Sequence, residues 1–312
     1  MTEVVATAPG KIILFGEHAV VYGQPAIASP LFAVQARAVV RPGRRLQIIA
    51  ANLARTIVVH PQPTKNEHAL SIAARLLLNR LGVPFPPYEV LLHSTIPVAS
   101  GLGSGAAATT ALLRALARSL GHPLDAAELN ELVFEIEKLY HGTPSGIDNT
   151  VIVYERPVYF VRGRPIETFQ IGAPIHLLVA DTGIASPTRA AVGDVRVLYE
   201  RDPQRIGVIF ESIGTICRQA RQAIERGTIS ALGPLMQENQ ALLRELTVSS
   251  PELEQLIEVA LEAGASGAKL SGGGRGGNMI ALVAADAAAE VADALYRAGA
   301  ARVILTTLKT EE

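Results

Sequence analysis

The sequence predicts two α+β domains, and three observations carry that expectation. Short β-branched runs alternate with longer stretches of helical periodicity. Gly163, Pro165, Gly172 and Pro174 cluster where such patterning lapses, which marks a boundary near residues 165–174. The 312 residues are 49% apolar and 18% charged, enough to bury a sizeable core in one large or two ordinary domains. The expected division is 1–168 and 169–312.

Residues 4–8 and 31–40 read as strands, with a turn-rich segment from Pro9 to Pro30 between them. Residues 46–51 and 56–60 read as a strand pair. A helical pattern over 67–81 stops at Gly82 and Pro84. Residues 88–95 form another strand. A Gly/Ser loop at 100–105 then opens a helix in which Leu112, Leu116 and Leu120 share one face. The next helix starts at Asp125, with Glu128 placed as in a capping box. Its apolar stripe is Leu129, Leu132, Val133, Ile136 and Tyr140. At 100° per residue, Glu137 lies about 80° from the centre of that stripe, while Glu131 and Glu135 point away. Glu137 is therefore the carboxylate that flanks the buried face. Residues 150–161 and 175–181 read as strands. Ser250-Pro251 suits a helix start, as N-cap and first helical residue. Ala268–Leu270, the glycine run 272–277, a strand at 278–284, a helix over 286–298 and a strand at 302–308 complete the chain.

Composition removes several function classes. The net charge is −1, so no basic excess points to nucleic acid or an anionic membrane. Cys217 is the single cysteine, which rules out an intramolecular disulfide and a cysteine-based zinc site. Lys11, Glu17 and His18 interrupt any signal-like apolar run, and no stretch is apolar for long enough to span a bilayer. A soluble cytoplasmic protein is expected.

Three segments carry chemistry. In SGLGSGAAAT at 100–109, the glycines let the backbone turn tightly and approach a ligand. The loop runs into a helix whose first N–H groups and positive dipole end suit a phosphate. It lacks the Gly-Lys-Ser/Thr ending of a Walker A loop, and it opens no dinucleotide-type βαβ series. Alone it reads more simply as an ordinary strand–helix turn. The second segment, PGKIILFGEHAVVYG from Pro9 to Gly23, embeds Lys11, Glu17 and His18 among apolar residues. Buried charges cost free energy unless paired, so they suggest a lined cavity, although a solvated surface turn fits as well. The third, EKLYHGTPSGIDN from Glu137 to Asn149, ends a helix and presents Asp148 after a Pro/Gly turn, just before the strand expected at 150. A capping aspartate is the plainer account of that residue.

Taken in order, these segments and KLSGGGRGGN at Lys269–Asn278 resemble the GHMP kinase superfamily. GKIILFGEHAVVYG and the spacing E-x-x-x-H-G-x-P-S-G-I-D-N are most similar to its mevalonate kinase branch, as is Ser186–Val192. That resemblance implies a GHMP fold. Its N-terminal domain is ribosomal S5 domain 2-like, its C-terminal domain is ferredoxin-like, and ATP lies between them. It implies ATP-dependent phosphorylation of mevalonate with Mg²⁺, and frequently a homodimer. Ser100, Gly101, Leu102, Gly103, Ser104, Gly105 and Ala106 would cradle the phosphates, and Glu137 and Ser104 would hold Mg²⁺. Asp148 would accept the proton of the attacking hydroxyl, with Lys11 paired to it. Glu17, His18 and Thr188 would border the substrate, and the glycines at 272–277 would help close the phosphate site.

Two positions depart from the family pattern. Gly105 stands where a second serine is common, and Arg275 interrupts the third glycine motif. The alternatives are a phosphomevalonate kinase or decarboxylase, a sugar kinase, or a non-catalytic ligand sensor on the same fold. Lys11 speaks against a galactokinase, where arginine is expected, and Asp148 against a homoserine kinase. The intact set of Lys11, Glu137 and Asp148 speaks against a sensor.

Overall fold

A computed structural model describes residues 3–97, 100–141, 144–165, 167–185 and 188–309; the side chains of 140, 141, 188 and 189 lie outside that description. The described residues form two compact units. One is drawn from Met1–Lys11, Pro30–Pro97 and Gly103–Glu155, the other from Ile12–Ser29, Val98–Leu102 and Arg156–Glu312.

In the first unit, β3 (Gln47–Ala50) and β4 (Arg55–Val58) form a hairpin, and β3 also pairs in parallel with β5 (Tyr88–Ser94). The far side of β5 pairs antiparallel with residues 36–42 of the long strand β2 (Ala26–Pro42), which β1 (Val4–Phe15) joins. Four helices belong to this unit: α1 (Ala69–Leu81), α2 (Ser104–Ser119), α3 (Ala126–His141) and α4 (Ile147–Tyr154). α2 packs against each of the other three. Its Leu112, Leu113 and Leu116 are fully buried, as are Leu77 and Leu78 of α1. The α3 stripe behaves as its periodicity predicts: Leu129, Leu132, Val133 and Ile136 are buried, and so is Glu137, while Glu131 and Glu135 are exposed. The capping box forms, with the Glu128 N–H donating to the Asp125 carboxylate at 2.8 Å and the Asp125 N–H to Glu128 at 3.2 Å.

In the second unit, residues 26–28 of β2 pair with β6 (Val158–Phe160), which pairs with β7 (Glu167–Thr168). A four-stranded antiparallel sheet runs in the order β11 (Arg302–Leu308), β8 (Ile175–Asp181), β10 (Asn278–Leu282), β9 (Gly267–Ser271). Helices α7 (Leu232–Glu245), α8 (Pro251–Glu262) and α9 (Ala288–Arg297) pack against it. Helices α5 (Thr188–Arg201) and α6 (Pro203–Arg226) pack on one another. Leu178, Ile209, Ile213, Leu253, Ile257, Leu270 and Met279 share one core. Ser250 caps α8 as its sequence predicts, accepting from the Leu253 N–H.

Two expectations fail. Residues 150–161 do not form one strand: 147–154 are α4, and only 158–160 are extended. Ile147, Val151, Ile152 and Val153 are all buried, and a helix whose apolar residues spread around most of its circumference shows no amphipathic period to read. Its start is set by Gly146 in the left-handed region and by Thr150, whose hydroxyl donates to the Gly146 carbonyl at 2.7 Å. The segment Pro9–Pro30 is likewise not all turn. β1 continues through Gly10 and Lys11 to Phe15, because burial of Ala8–Ile12 makes this an interior strand rather than a surface loop. Among the described residues, no helix is long and apolar enough to cross a membrane.

Candidate active site

Lys11 leaves interior strand β1, and Asp148 sits in the first turn of α4. An aspartate is favoured there by the positive end of the helix dipole. The Lys11 ammonium donates to the Asp148 carboxylate across 2.9 Å. The lysine side chain is 5% exposed and the aspartate 35%, so the carboxylate keeps an open side.

Gly103 lies directly against this pair. It caps α2 at φ 76°, and a Cβ there would fall 2.7 Å from Ile152 Cδ1 and 3.0 Å from Lys11 Cγ. Glycine supplies both the left-handed backbone and the close approach. The N-terminal turn of α2, starting at Ser104, therefore opens beside the lysine. Among the described residues, no side chain caps this helix start. Its leading N–H groups are the kind that bind anions.

Glu137 completes the cluster. It is buried on α3, and its pKa is pushed up to about 7, first by loss of hydration and then by the nearby Asp148 charge, with Lys11 opposing. Among the described residues, a Cβ on Gly105 would meet only Glu137 Oε1, at 3.8 Å, so the helix start and the carboxylate share one small space. α3 and α4 are joined by Asn149, whose amide donates to Asn130 Oδ1 at 2.7 Å.

The second unit gathers a different set. Glu17 is sealed from solvent in an ion pair with Lys269 of β9, whose ammonium also donates to the Leu270 carbonyl at 2.6 Å. Burial lowers the Lys269 pKa, and Glu17 opposes that shift. The neighbouring Ser271 hydroxyl donates to the Ile13 carbonyl at 2.8 Å and accepts from the Ile13 N–H at 3.1 Å. His18 is buried with φ 61°, and burial lowers its pKa to about 4, so the ring is neutral at pH 7. Nε2 lies 3.1 Å from the Gly273 carbonyl, which can only accept, so Nε2 carries the proton. Nδ1 is then a buried acceptor with no partner among the described residues.

The remaining residues singled out from the sequence separate as follows. Gly101 has φ 81°, Leu102 is buried, and the Ser100 carbonyl accepts from the Asn278 amide within the second unit. Ser104 is partly exposed, Gly105 exposed and Ala106 buried at the start of α2. Thr188 is the first residue of α5, but its side chain, like Ser186 and Pro187, falls outside the described residues, as do Gly142 and Thr143 of the third motif. Arg275 neither faces solvent alone nor extends free beside the glycines. Its backbone N–H donates to the Val248 carbonyl at 2.7 Å, and its guanidinium pairs with Asp194 of α5. Lys269 is a further member of this set to which motif spacing does not point. A lone lysine in the apolar strand GAKLS is the signal, since burial demands a partner.

The chain matches the family model of the GHMP kinases N terminal domain over residues 68–156 and that of the GHMP kinases C terminal over residues 220–301. It is 35% identical to a mevalonate kinase of Aeropyrum pernix, covering 89% of this chain and 87% of that protein. It is 35% identical to a mevalonate kinase of Pyrococcus horikoshii, covering 95% and 93%. The crystal structure of L. major mevalonate kinase in complex with R-mevalonate is similar throughout, with TM-score 0.86 and 29% identity over 100% of this chain and 97% of that one. The motifs, the clustered charges and these likenesses agree: the chain belongs to the GHMP kinases, within their mevalonate kinase branch.

Proposed function

We propose that the chain transfers the γ-phosphoryl group of ATP to the primary hydroxyl of (R)-mevalonate, giving 5-phosphomevalonate and ADP. The carrying observation is the Lys11–Asp148 pair at 2.9 Å, set against Gly103 where α2 begins. In this reading the open side of Asp148 accepts the hydroxyl proton as the new O–P bond forms and the bond to ADP breaks. Lys11 holds the carboxylate in place and offsets negative charge on the transferring group. Residues 100–106 line the phosphate path. His18 offers Nδ1 to a substrate donor, and Glu17, sealed by Lys269, sets the turn that presents it. Thr188 contributes from the start of α5. The functional division is an N-terminal ATP-binding domain over 1–168 and a C-terminal domain over 169–312.

The residues fit a magnesium ion. Glu137 is a buried carboxylate held near its protonated form, so a divalent cation beside it would stabilise the charged form. Mg²⁺ is satisfied by one or two carboxylates, phosphate oxygens and waters. Among the described residues there is no larger acidic or histidine cluster that would favour a fully protein-ligated metal. Glu137 and Ser104 would hold the ion, which when bound neutralises charge on the phosphate oxygens. On the strength of the family resemblance, the enzyme works as a cytoplasmic homodimer.

The test is coupled ADP release with mevalonate, phosphomevalonate, galactose and homoserine as acceptors. The proposal expects turnover with mevalonate at least about tenfold above the others in kcat/KM, the range that a few well-placed polar contacts supply. Preference for another acceptor would reassign the substrate, and no ADP release with any would favour a sensor.

A further inference from the structure

Arg114 sits on α2, ten residues beyond Ser104 and so about 15 Å along the helix from the phosphate-facing turn. Its guanidinium reaches two other elements, β1 and the C-terminal end of α4. One terminal nitrogen donates to the Thr7 carbonyl of β1 at 2.9 Å and pairs with the Glu155 carboxylate; the other donates to the Val153 carbonyl of α4 at 2.6 Å. Thr7 precedes Lys11 on β1, and Val153 and Glu155 close the helix that opens with Asp148. Glu155 holds the left-handed conformation, φ 54°, that ends α4. One side chain therefore ties the strand of the ammonium, the helix of the carboxylate and the helix that begins at the phosphate loop.

We propose that Arg114 is a positioning residue that sets Lys11 against Asp148 by clamping β1, α2 and the C-terminal end of α4. This deepens the kinase reading and rests on it for its catalytic consequence. The planar fork supplies several donors in fixed directions, which a lysine ammonium on a flexible stem does not reproduce. Truncation would let α4 shift lengthwise, and the active pair would lose its alignment although no reacting atom has been touched.

The experiment uses the full chain with Arg114→Met and Arg114→Lys, compared below the melting temperature of each. Steady-state kinetics with ATP and mevalonate are paired with the rate at which an amine-reactive reagent labels Lys11, read from the Lys11 peptide by mass spectrometry. The expected result is a kcat loss of about 10–100-fold, the scale of an ångström-level misplacement, with both KM values within about twofold and faster labelling of Lys11. Glu155→Gln, a milder change, should move kcat and labelling in the same direction if Arg114→Met does not fold. An unchanged kcat in a folded variant, or a kcat loss with unaltered Lys11 labelling, overturns the clamp. If the parent does not phosphorylate mevalonate, the kinase reading fails, and the labelling comparison still decides the clamp.

Discussion

Glu137 shows most clearly how one residue's surroundings set its chemistry. An ordinary glutamate titrates near 4.5, and here burial raises the value to about 7. The folded protein therefore holds this proton more tightly than the unfolded chain. The stability it contributes is complete below pH 4.5 and is lost as pH rises towards 7. For the metal-free protein, that loss amounts to at most about 3 kcal/mol, at 1.36 kcal/mol for each pKa unit. Urea unfolding of parent and Glu137→Gln across pH 4.5–7.5 checks this. The parent should lose stability relative to the variant as pH rises through that window. A difference that stays flat, or grows in the parent's favour, would contradict the assigned environment. His18 acts in the opposite sense, losing stability as pH falls from 6.5 towards 4, and it is common to both proteins and cancels in the comparison.

At the level of elements, the start of α2 depends on a backbone that only glycine adopts without strain. Gly103→Ala should cost about 1–3 kcal/mol in urea unfolding, from the left-handed conformation and the contacts with Ile152 and Lys11. Gly105→Ala, two residues on in helical backbone, should leave stability level or raise it by about 0.5–1 kcal/mol. Equal effects at the two positions would contradict the difference assigned to them. The same elements show what the sequence discloses. The strand at 302–308, the capping box at Asp125 and Glu128, and the α8 start at Ser250 are local signals, and each forms where its residues predict. α4 is hidden because its residues are mostly β-branched and mostly buried, so tertiary packing, not propensity, chooses the helix. The full length of β1 is hidden for a related reason. Gly10 and Lys11 read as turn residues until the lysine's partner, 137 positions away, is brought to it.

For the whole molecule, each unit depends on contacts of very long sequence separation: Lys11 with Asp148 in the first, and Glu17 with Lys269 and Ile13 with Ser271 in the second. No periodicity or spacing encodes them. Ordered family motifs pointed to the residues, and folding supplies the pairing. The clamp at Arg114 had no such signal, because one arginine on a helix is ordinarily a solvated one. In the proposed reaction, Asp148, held by Lys11, receives the proton of the attacking hydroxyl. Single-turnover phosphorylation of mevalonate by Asp148→Asn, with ATP binding measured on the same protein, tests it most directly. The predicted result is ATP affinity within about threefold of the parent and a phosphoryl-transfer rate lower by about 10²–10⁴, the usual contribution of a general base. A variant that transfers the phosphoryl group at the parent's rate would contradict the claim.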